Sequence, residues 1–223
     1  MSGLFITIEG IEGSGKSTQI QLLADYLEGL GFTVTRTREP GGTPLAEDIR
    51  DLLLDRRDET VTALGELLLY EAARAQHVAM VIAPALARDE VVLCDRFADS
   101  TTAYQGAGRQ LAADVITRLN ELAAGDAWPT RTFLIDLPAE EGLGRARRRG
   151  SDDRMMGETL AFHQRIRNEF LALAQREPKR ITIIDGTDSV ENIQRKMRAD
   201  VDQLPWIRER ANKGTNKERR TSL

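Results

Sequence analysis

The stretch LFITIE (4–9) is an unbroken apolar, β-branched run that ends at Gly10. Such a run predicts a strand buried on both faces. From Lys16 to Leu30 the pattern changes: Ile20, Leu22, Leu23, Tyr26 and Leu27 recur at helical spacing, and Gly31 closes the segment. Phe32–Thr37 predicts a second strand. VVLCD (91–95), RTFLID (131–136) and RITIID (180–185) repeat the first form, each an apolar strand ending in aspartate. Helical patterns over 61–88, 111–124 and 155–177 lie between them. Strands alternating with helices predict an α/β fold: a three-layer α/β/α sandwich around a five-stranded parallel sheet with right-handed crossovers. There is no internal repeat.

Two stretches break this rhythm. RARRRGSDDR (145–154) is dense in arginine around a central Gly-Ser. Residues 206–223 carry Arg208, Arg210, Lys213, Lys217, Arg219 and Arg220 with few apolar groups, and read as a frayed or disordered basic tail. The remainder, 1–205, reads as one domain, a size that suits 223 residues in all. Apolar residues make up 41% and charged residues 30%, the balance of an ordinary soluble protein. The net charge of −4 argues against polymeric nucleic acid as a partner. The single cysteine, Cys94, leaves no internal disulfide and points to a reducing, cytoplasmic setting. The run Leu4–Ile8 is too short for a secretory signal or a membrane span.

The chemistry enters at GIEGSGKS (10–17). Gly10, Gly15, Lys16 and Ser17 fit G-x-x-x-x-G-K-[ST], between a predicted strand and a predicted helix. Backbone N–H groups of Gly10, Ile11, Glu12, Gly13, Ser14 and Gly15 can converge on phosphate oxygens there. The helix dipole points at the same anion. Lys16 can reach the β/γ-phosphates, and Ser17, followed by Thr18, can hold Mg²⁺. This predicts a P-loop NTPase fold but not yet a function. A GTPase would need N/T-K-x-D after a strand; Asn212-Lys213 and Asn216-Lys217 lack the aspartate and sit in the tail. A motor ATPase would usually show a carboxylate pair after VVLC, where Asp95 is followed by Arg96. A small-nucleotide kinase needs a second anion site and a basic lid, and candidates for both exist.

Asp95-Arg96 lies at the carboxyl end of a predicted strand, where open α/β sheets bind ligands. Asp95 suits the Mg²⁺ shell and Arg96 a phosphate; a structural ion pair closing the strand fits the pattern equally. Arg38 and Arg50 flank the turn Pro40-Gly41-Gly42, after which Thr43 reads as a helix cap. The arginines at 145–149 are either a solvated helix face or a hinged segment that closes over the phosphates and excludes water.

Five segments together resemble the thymidylate kinase family: FITIEGIEGSGKST (5–18), TREPGGTPLAEDIRDLLL (37–54), LLLYEAARAQHV (67–78), CDRFADSTTAYQGAGR (94–109) and RARRRGSDDR (145–154). They occur in order from residue 5 to about 200, and the tail is not covered. The resemblance implies ATP- and Mg²⁺-dependent phosphorylation of dTMP to dTDP on the route to dTTP, by a homodimer with a short mobile lid at about 145–156. It implies a role for each matching residue. Glu12 would bond the deoxyribose 3′-hydroxyl from inside the donor loop. Tyr70, where phenylalanine is more usual, would stack on thymine, and Arg74 would donate to thymine O4. Ser100, Thr101 and Gln105 would line the base pocket, and Tyr104 would stand under C2′. Arg96, with Arg38 and Arg50 nearby, would hold the acceptor phosphate. Since the loop variables Ile11 to Ser14 include no arginine, the lid would supply it: Arg149 for the transferring phosphoryl group and Arg145 against adenine, with Arg154 a further contact. His77 and His163 read as ordinary helix residues, and Cys94 as a buried strand residue. A deoxynucleoside kinase, taking thymidine itself, and a non-catalytic nucleotide-binding regulator are the alternatives.

Overall fold

The computed structural model describes residues 2–55, 58–150 and 154–211. Strand β1 (Leu4–Glu9) is buried along its whole length, as its unbroken apolar run predicts. The chain continues through helix α1 (Lys16–Gly29), strand β2 (Val34–Arg38) and helices α2 (Pro44–Leu54) and α3 (Ala63–His77). A π-helical stretch, Val78–Ile82, leads into the short helix α4 (Ala83–Ala87). Strand β3 (Val91–Asp95) is followed by α5 (Ala98–Thr101), a second π-helical stretch at Thr102–Gly108, and α6 (Ala113–Ala124). Then come β4 (Arg131–Asp136), α7 (Ala139–Arg148), a 3₁₀ turn at Met155–Gly157, α8 (Leu160–Arg176), β5 (Ile181–Asp185) and α9 (Val190–Val201).

The five strands form one parallel sheet in the order β2-β3-β1-β4-β5. Alternate residues of β1 serve opposite faces. Leu4, Ile6 and Ile8 join a core with Leu23 and Leu27 of α1 and Ile193 and Met197 of α9. Phe5 points the other way, into a core with Ile82, Leu86 and Phe97, whose ring meets it edge-on at 5.0 Å. Leu134 of β4 packs with Phe162, Ile166 and Phe170 of α8. Helices therefore cover both faces, and the five-stranded three-layer expectation holds. Because β1 lies between β3 and β4, the loop after β1 opens where the strand order reverses, the site at which such sheets hold ligands.

Two expectations need correction. The helix predicted over 61–88 is a rod with a π-helical insert: Ala83 N–H reaches back to Val78 O, just before Pro84, which has no N–H to give. The tail predicted from Trp206 begins instead as a helix, α10 (205–211). Ile207 is buried in the α1/α9 core, and the Trp206 ring packs on Phe32 at 5.5 Å. Trp206 Nε1 donates to Ser2 O, and Arg210 pairs with Asp89. Apolar side chains at 204, 206 and 207 outweigh the basic residues around them. The tail beyond Ala211 lies outside the described residues.

Candidate active site

The loop after β1 has a backbone that only glycine suits at several points. Gly10, Gly13 and Gly15 have φ of 141°, 72° and 95°. A Cβ at Gly10 would come 2.5 Å from Ile135 O. Gly13 lies against helix α7: a Cβ there would be 2.1 Å from Gly142 O, and one at Gly142 would be 2.5 Å from Glu12 O. Loop and helix thus touch backbone to backbone. Gly15 caps α1, so the helix dipole and its free N–H groups face the loop. Lys16 Nζ folds back onto the same concavity, donating to Gly10 O and Ile11 O at 2.9 Å each. Burial, reinforced by the Arg96 charge, pulls its ammonium down to about 8. Ser14 and Ile11 are buried in the loop wall, and Thr18 stands in the first turn of α1.

Ser17 Oγ donates to Asp95 Oδ2 at 3.1 Å, which joins the two residues assigned to the metal. The other carboxylate oxygen, Asp95 Oδ1, is buried without a hydrogen-bond partner among the described residues. Hard oxygen donors beside a phosphate loop fit Mg²⁺, which takes one or two protein ligands and draws the rest from phosphate and water.

Beside the loop lies a cavity of about 130 Å³. Its lining includes Glu12, Arg50, Tyr70, Arg74, Arg96, Ser100, Thr101, Tyr104 and Gln105, residues widely separated in the chain. Arg38 is not among them. It pairs with Glu47 at 2.7 Å and lines a neighbouring shallow cleft with Ser17 and Asp95. Glu12 is the junction between donor loop and cavity. Its Oε1 accepts from Tyr104 Oη at 2.6 Å and from Arg96 Nη2 at 3.2 Å. Burial acts to raise its carboxyl, but His163, Arg96, Lys16 and Tyr104 outweigh it and hold the group well below the usual carboxylate range. Arg96 has φ of +70°, which turns its guanidinium over the Tyr104 ring, 4.9 Å from the centroid, and onto Ser100. Arg74 is anchored on four sides. Nε bonds Glu39 at 2.8 Å, Nη1 bonds Glu71 and Asn120, and Nη2 bonds Thr101 at 2.9 Å. A guanidinium has five N–H groups, so among the described residues one Nη2 proton remains uncommitted on a side chain that lines the cavity.

Several residues of this site carried no sequence signal. Glu9, fully buried at the end of β1, accepts from Phe97 N at 2.7 Å and shares a 2.6 Å bond with Ser100 Oγ. Burial, with the Asp99 charge adding to it, pushes its carboxyl up to about 8. Glu66 is also fully buried; it takes bonds from Gln105, Arg109 and Arg154. Arg154 therefore ties the end of the lid segment to α3, and its Nε also caps Leu53 O. Both histidines, expected to be ordinary helix residues, are fully buried beside site carboxylates: His77 Nδ1 lies 3.0 Å from Glu39 Oε1, and His163 Nδ1 lies 3.3 Å from Glu12 Oε2. Buried polar side chains look like surface residues in a sequence, which is why pattern alone missed them. Cys94 is buried, as expected.

Within the basic segment, Arg145 bonds Glu141 and Gly186 O, next to the carboxyl end of β5. Arg149 is exposed at the C-terminal end of α7. Positions 151–153 of the expected lid lie outside the described residues.

A family model described as thymidylate kinase matches residues 8–197. A thymidylate kinase of Geobacter sulfurreducens is 55% identical over 195 residues, covering 85% of this chain and 92% of the relative. One from Pseudomonas putida is 53% identical over 211 residues, covering 94% and 99%. The crystal structure of thymidylate kinase from Ehrlichia chaffeensis superposes with a TM-score of 0.73 at 35% identity, covering 90% of this chain and 99% of that one. By length, identity and architecture alike, the chain belongs to the thymidylate kinase family of phosphotransferases.

Proposed function

We propose that the protein transfers the γ-phosphoryl group of ATP to dTMP in a Mg²⁺-dependent reaction, giving dTDP and ADP on the route to dTTP. The observation that carries this reading is Glu12: it belongs to the phosphate loop yet lines the cavity that holds Tyr70, Arg74 and Arg96. A donor loop and an acceptor pocket that share a residue suit direct transfer between two bound nucleotides.

The loop amides and Lys16 cradle the β- and γ-phosphates of ATP. Ser17 and Asp95 hold Mg²⁺, which neutralises phosphate charge when bound. Tyr70 stacks on thymine, and the remaining N–H of Arg74 donates to O4. Ser100, Thr101 and Gln105 line the polar edge of the base, and Tyr104 crowds C2′ against a ribose hydroxyl. Arg96, with Arg50, grips the acceptor phosphate, and Glu12 accepts from the 3′-hydroxyl. A dTMP phosphate oxygen attacks the γ-phosphorus in line while the bond to the ADP oxygen breaks. The attacking group is already an anion, so positioning and charge neutralisation carry the rate rather than general-base work. Arg149 meets the charge of the transferring group when the lid, about 145–156, closes, and Arg145 packs on adenine. The protein works as a cytoplasmic homodimer. No helix among the described residues is long and apolar enough to cross a membrane.

The test is a coupled ADP-release assay with ATP and Mg²⁺ across dTMP, thymidine, dUMP, dCMP and dGMP. dTMP is the preferred acceptor on this reading. Preference for thymidine would make the protein a nucleoside kinase, and no product with any acceptor would make it a binding protein.

A further inference from the structure

The loop between β2 and α2 is folded around an imidazole. His77, the last residue of α3, is fully buried, and Thr37 of β2 together with Glu39 and Gly42 of the loop meet its ring. Thr37 Oγ1 lies 2.6 Å from Nε2. Glu39 Oε1 lies 3.0 Å from Nδ1. Gly42, at φ +85°, leaves room for the ring: a Cβ there would stand 2.6 Å from the imidazole Cδ2 and Nε2. The chemistry of the partners fixes the proton. The Glu39 carboxylate pairs with Arg74 and can only accept, so Nδ1 donates to it; Nε2 and the Thr37 hydroxyl share the second bond. The second oxygen, Glu39 Oε2, takes Arg74 Nε at 2.8 Å. A continuous chain thus runs from Thr37 through His77 and Glu39 to Arg74, which lines the acceptor cavity.

We propose that His77 is a positioning residue for acceptor selection: through Glu39 it sets the angle at which Arg74 meets the base. This deepens the reading of the cavity as the dTMP site and rests on it. A carboxylate held at both oxygens has no freedom to rotate, and a guanidinium held by it cannot turn to accommodate a different base edge. Loss of the imidazole frees Glu39 Oε1; Glu71, Asn120 and Thr101 still hold Nη1 and Nη2, so the Arg74 fork loosens at its Nε end rather than turning free. The effect is expected on the acceptor side, because the His77 ring bonds Thr37 and Glu39 rather than the phosphate loop or the Ser17 and Asp95 side chains, and Glu39 meets Asp95 only through its backbone N–H at 2.9 Å.

The experiment compares His77→Leu, His77→Asn and His77→Gln in the full-length protein. The Asn amide nitrogen falls near the position of Nδ1 and can still donate to Glu39. The Gln amide falls near Nε2 and reaches Thr37 instead. His77→Leu and His77→Gln should raise KM for dTMP roughly 10-fold, the loss expected of one hydrogen bond to a charged group. Both should also narrow the preference for dTMP over dCMP while leaving KM for ATP unchanged. His77→Asn should restore dTMP use to near the wild-type value. In an Arg74→Ala background, His77→Leu should have no further effect on KM for dTMP, since the chain then ends before the base. Equal impairment of the Asn and Gln variants, or an additive effect in the Arg74→Ala background, would overturn the proposal and leave His77 a packing residue. So would unchanged dTMP parameters in His77→Leu. The wild-type acceptor preference is read in the same assay, so a wild-type protein that ignores dTMP fails the functional reading separately.

Discussion

Tyr70 stands half-buried in the wall of the acceptor cavity, and burial pushes its phenol up to about 12, so it is a neutral ring at working pH. Tyr70→Ala should weaken dTMP binding by ~1–3 kcal/mol, the worth of one aromatic–base stack, and leave ATP binding nearly unchanged. Titration calorimetry with each nucleotide checks it; joint loss of ATP binding and folding would mark the ring as core instead. Glu9 gives a prediction of a different kind. Burial holds its folded carboxyl up at about 8, whereas in the unfolded chain it lies at the ordinary glutamate value of 4.5. Between those values the folded state binds more protons than the unfolded state, so Glu9 makes stability fall as pH rises. Glu9→Gln, neutral throughout, lacks that slope. Melting temperatures taken from pH 5 to 8.5 should show the variant gaining on wild type as pH rises; parallel curves would refute a raised Glu9. The two residues also mark what a sequence reveals at this scale. Tyr70 lies within a specific motif and was legible through it. Glu9 closes its strand as many polar residues do; only its depth, with Asp99 and Phe97 N around it, makes it unusual.

At the scale of elements, the strands and the phosphate loop were legible because apolar runs and glycine spacing are local signals. Thr43 was legible as a cap and accepts from Ala46 N at 3.2 Å. The π-helical stretch Thr102–Gly108, which carries Tyr104 and Gln105 into the cavity, was not: TAYQGAG has no helical periodicity, and its shape follows from packing against α8. Helix α10 was hidden by the charges around its apolar residues. Helix α7 holds the arginine run, and its two ends predict two phenotypes. Arg149→Ala, at the exposed end, should lower kcat by roughly 10³-fold, the scale of an arginine that meets transferring phosphoryl charge, with dTMP affinity nearly intact. Arg145→Ala, beside Gly186, should mainly raise KM for ATP. Steady-state kinetics on single alanine variants at 145, 147, 148 and 149 decide between these roles. Near-wild-type kcat in all four would make the run a solvated face.

For the whole molecule, the helices that build the acceptor wall also face outward. Leu45 and Leu52 of α2, Leu64 and Leu68 of α3 and Leu122 of α6 are exposed. Exposed leucines on adjacent helices suit a subunit interface, as the homodimer reading requires. Leu68→Glu should shift the protein to monomer in sedimentation velocity; an unchanged dimer would move the interface elsewhere. Since α3 also bears Tyr70 and Arg74, the monomer should show weaker dTMP use. The apolar face of α3 was visible in the sequence, but which leucines were left outside the core was not, because that depends on how α2 and α6 pack beside it. The backbone contact between Gly13 and Gly142 bears on how much of this molecule moves in a catalytic cycle. Atoms that already touch cannot approach further, so a closing motion of the lid has no room to press the first half of α7 deeper onto the phosphate loop. Any closing motion takes its fulcrum beyond Ala146, whose N lies 3.1 Å from a Cβ at Gly13. On the proposed lid closure, Arg145 would then stand at the hinge and Arg147, Arg148 and Arg149 beyond it. Closure of a lid hinged there would fix only a short stretch of chain, at about 1–2 kcal/mol for each backbone residue fixed. A cycle of opening and closing over so few residues leaves the sheet and both cores undisturbed.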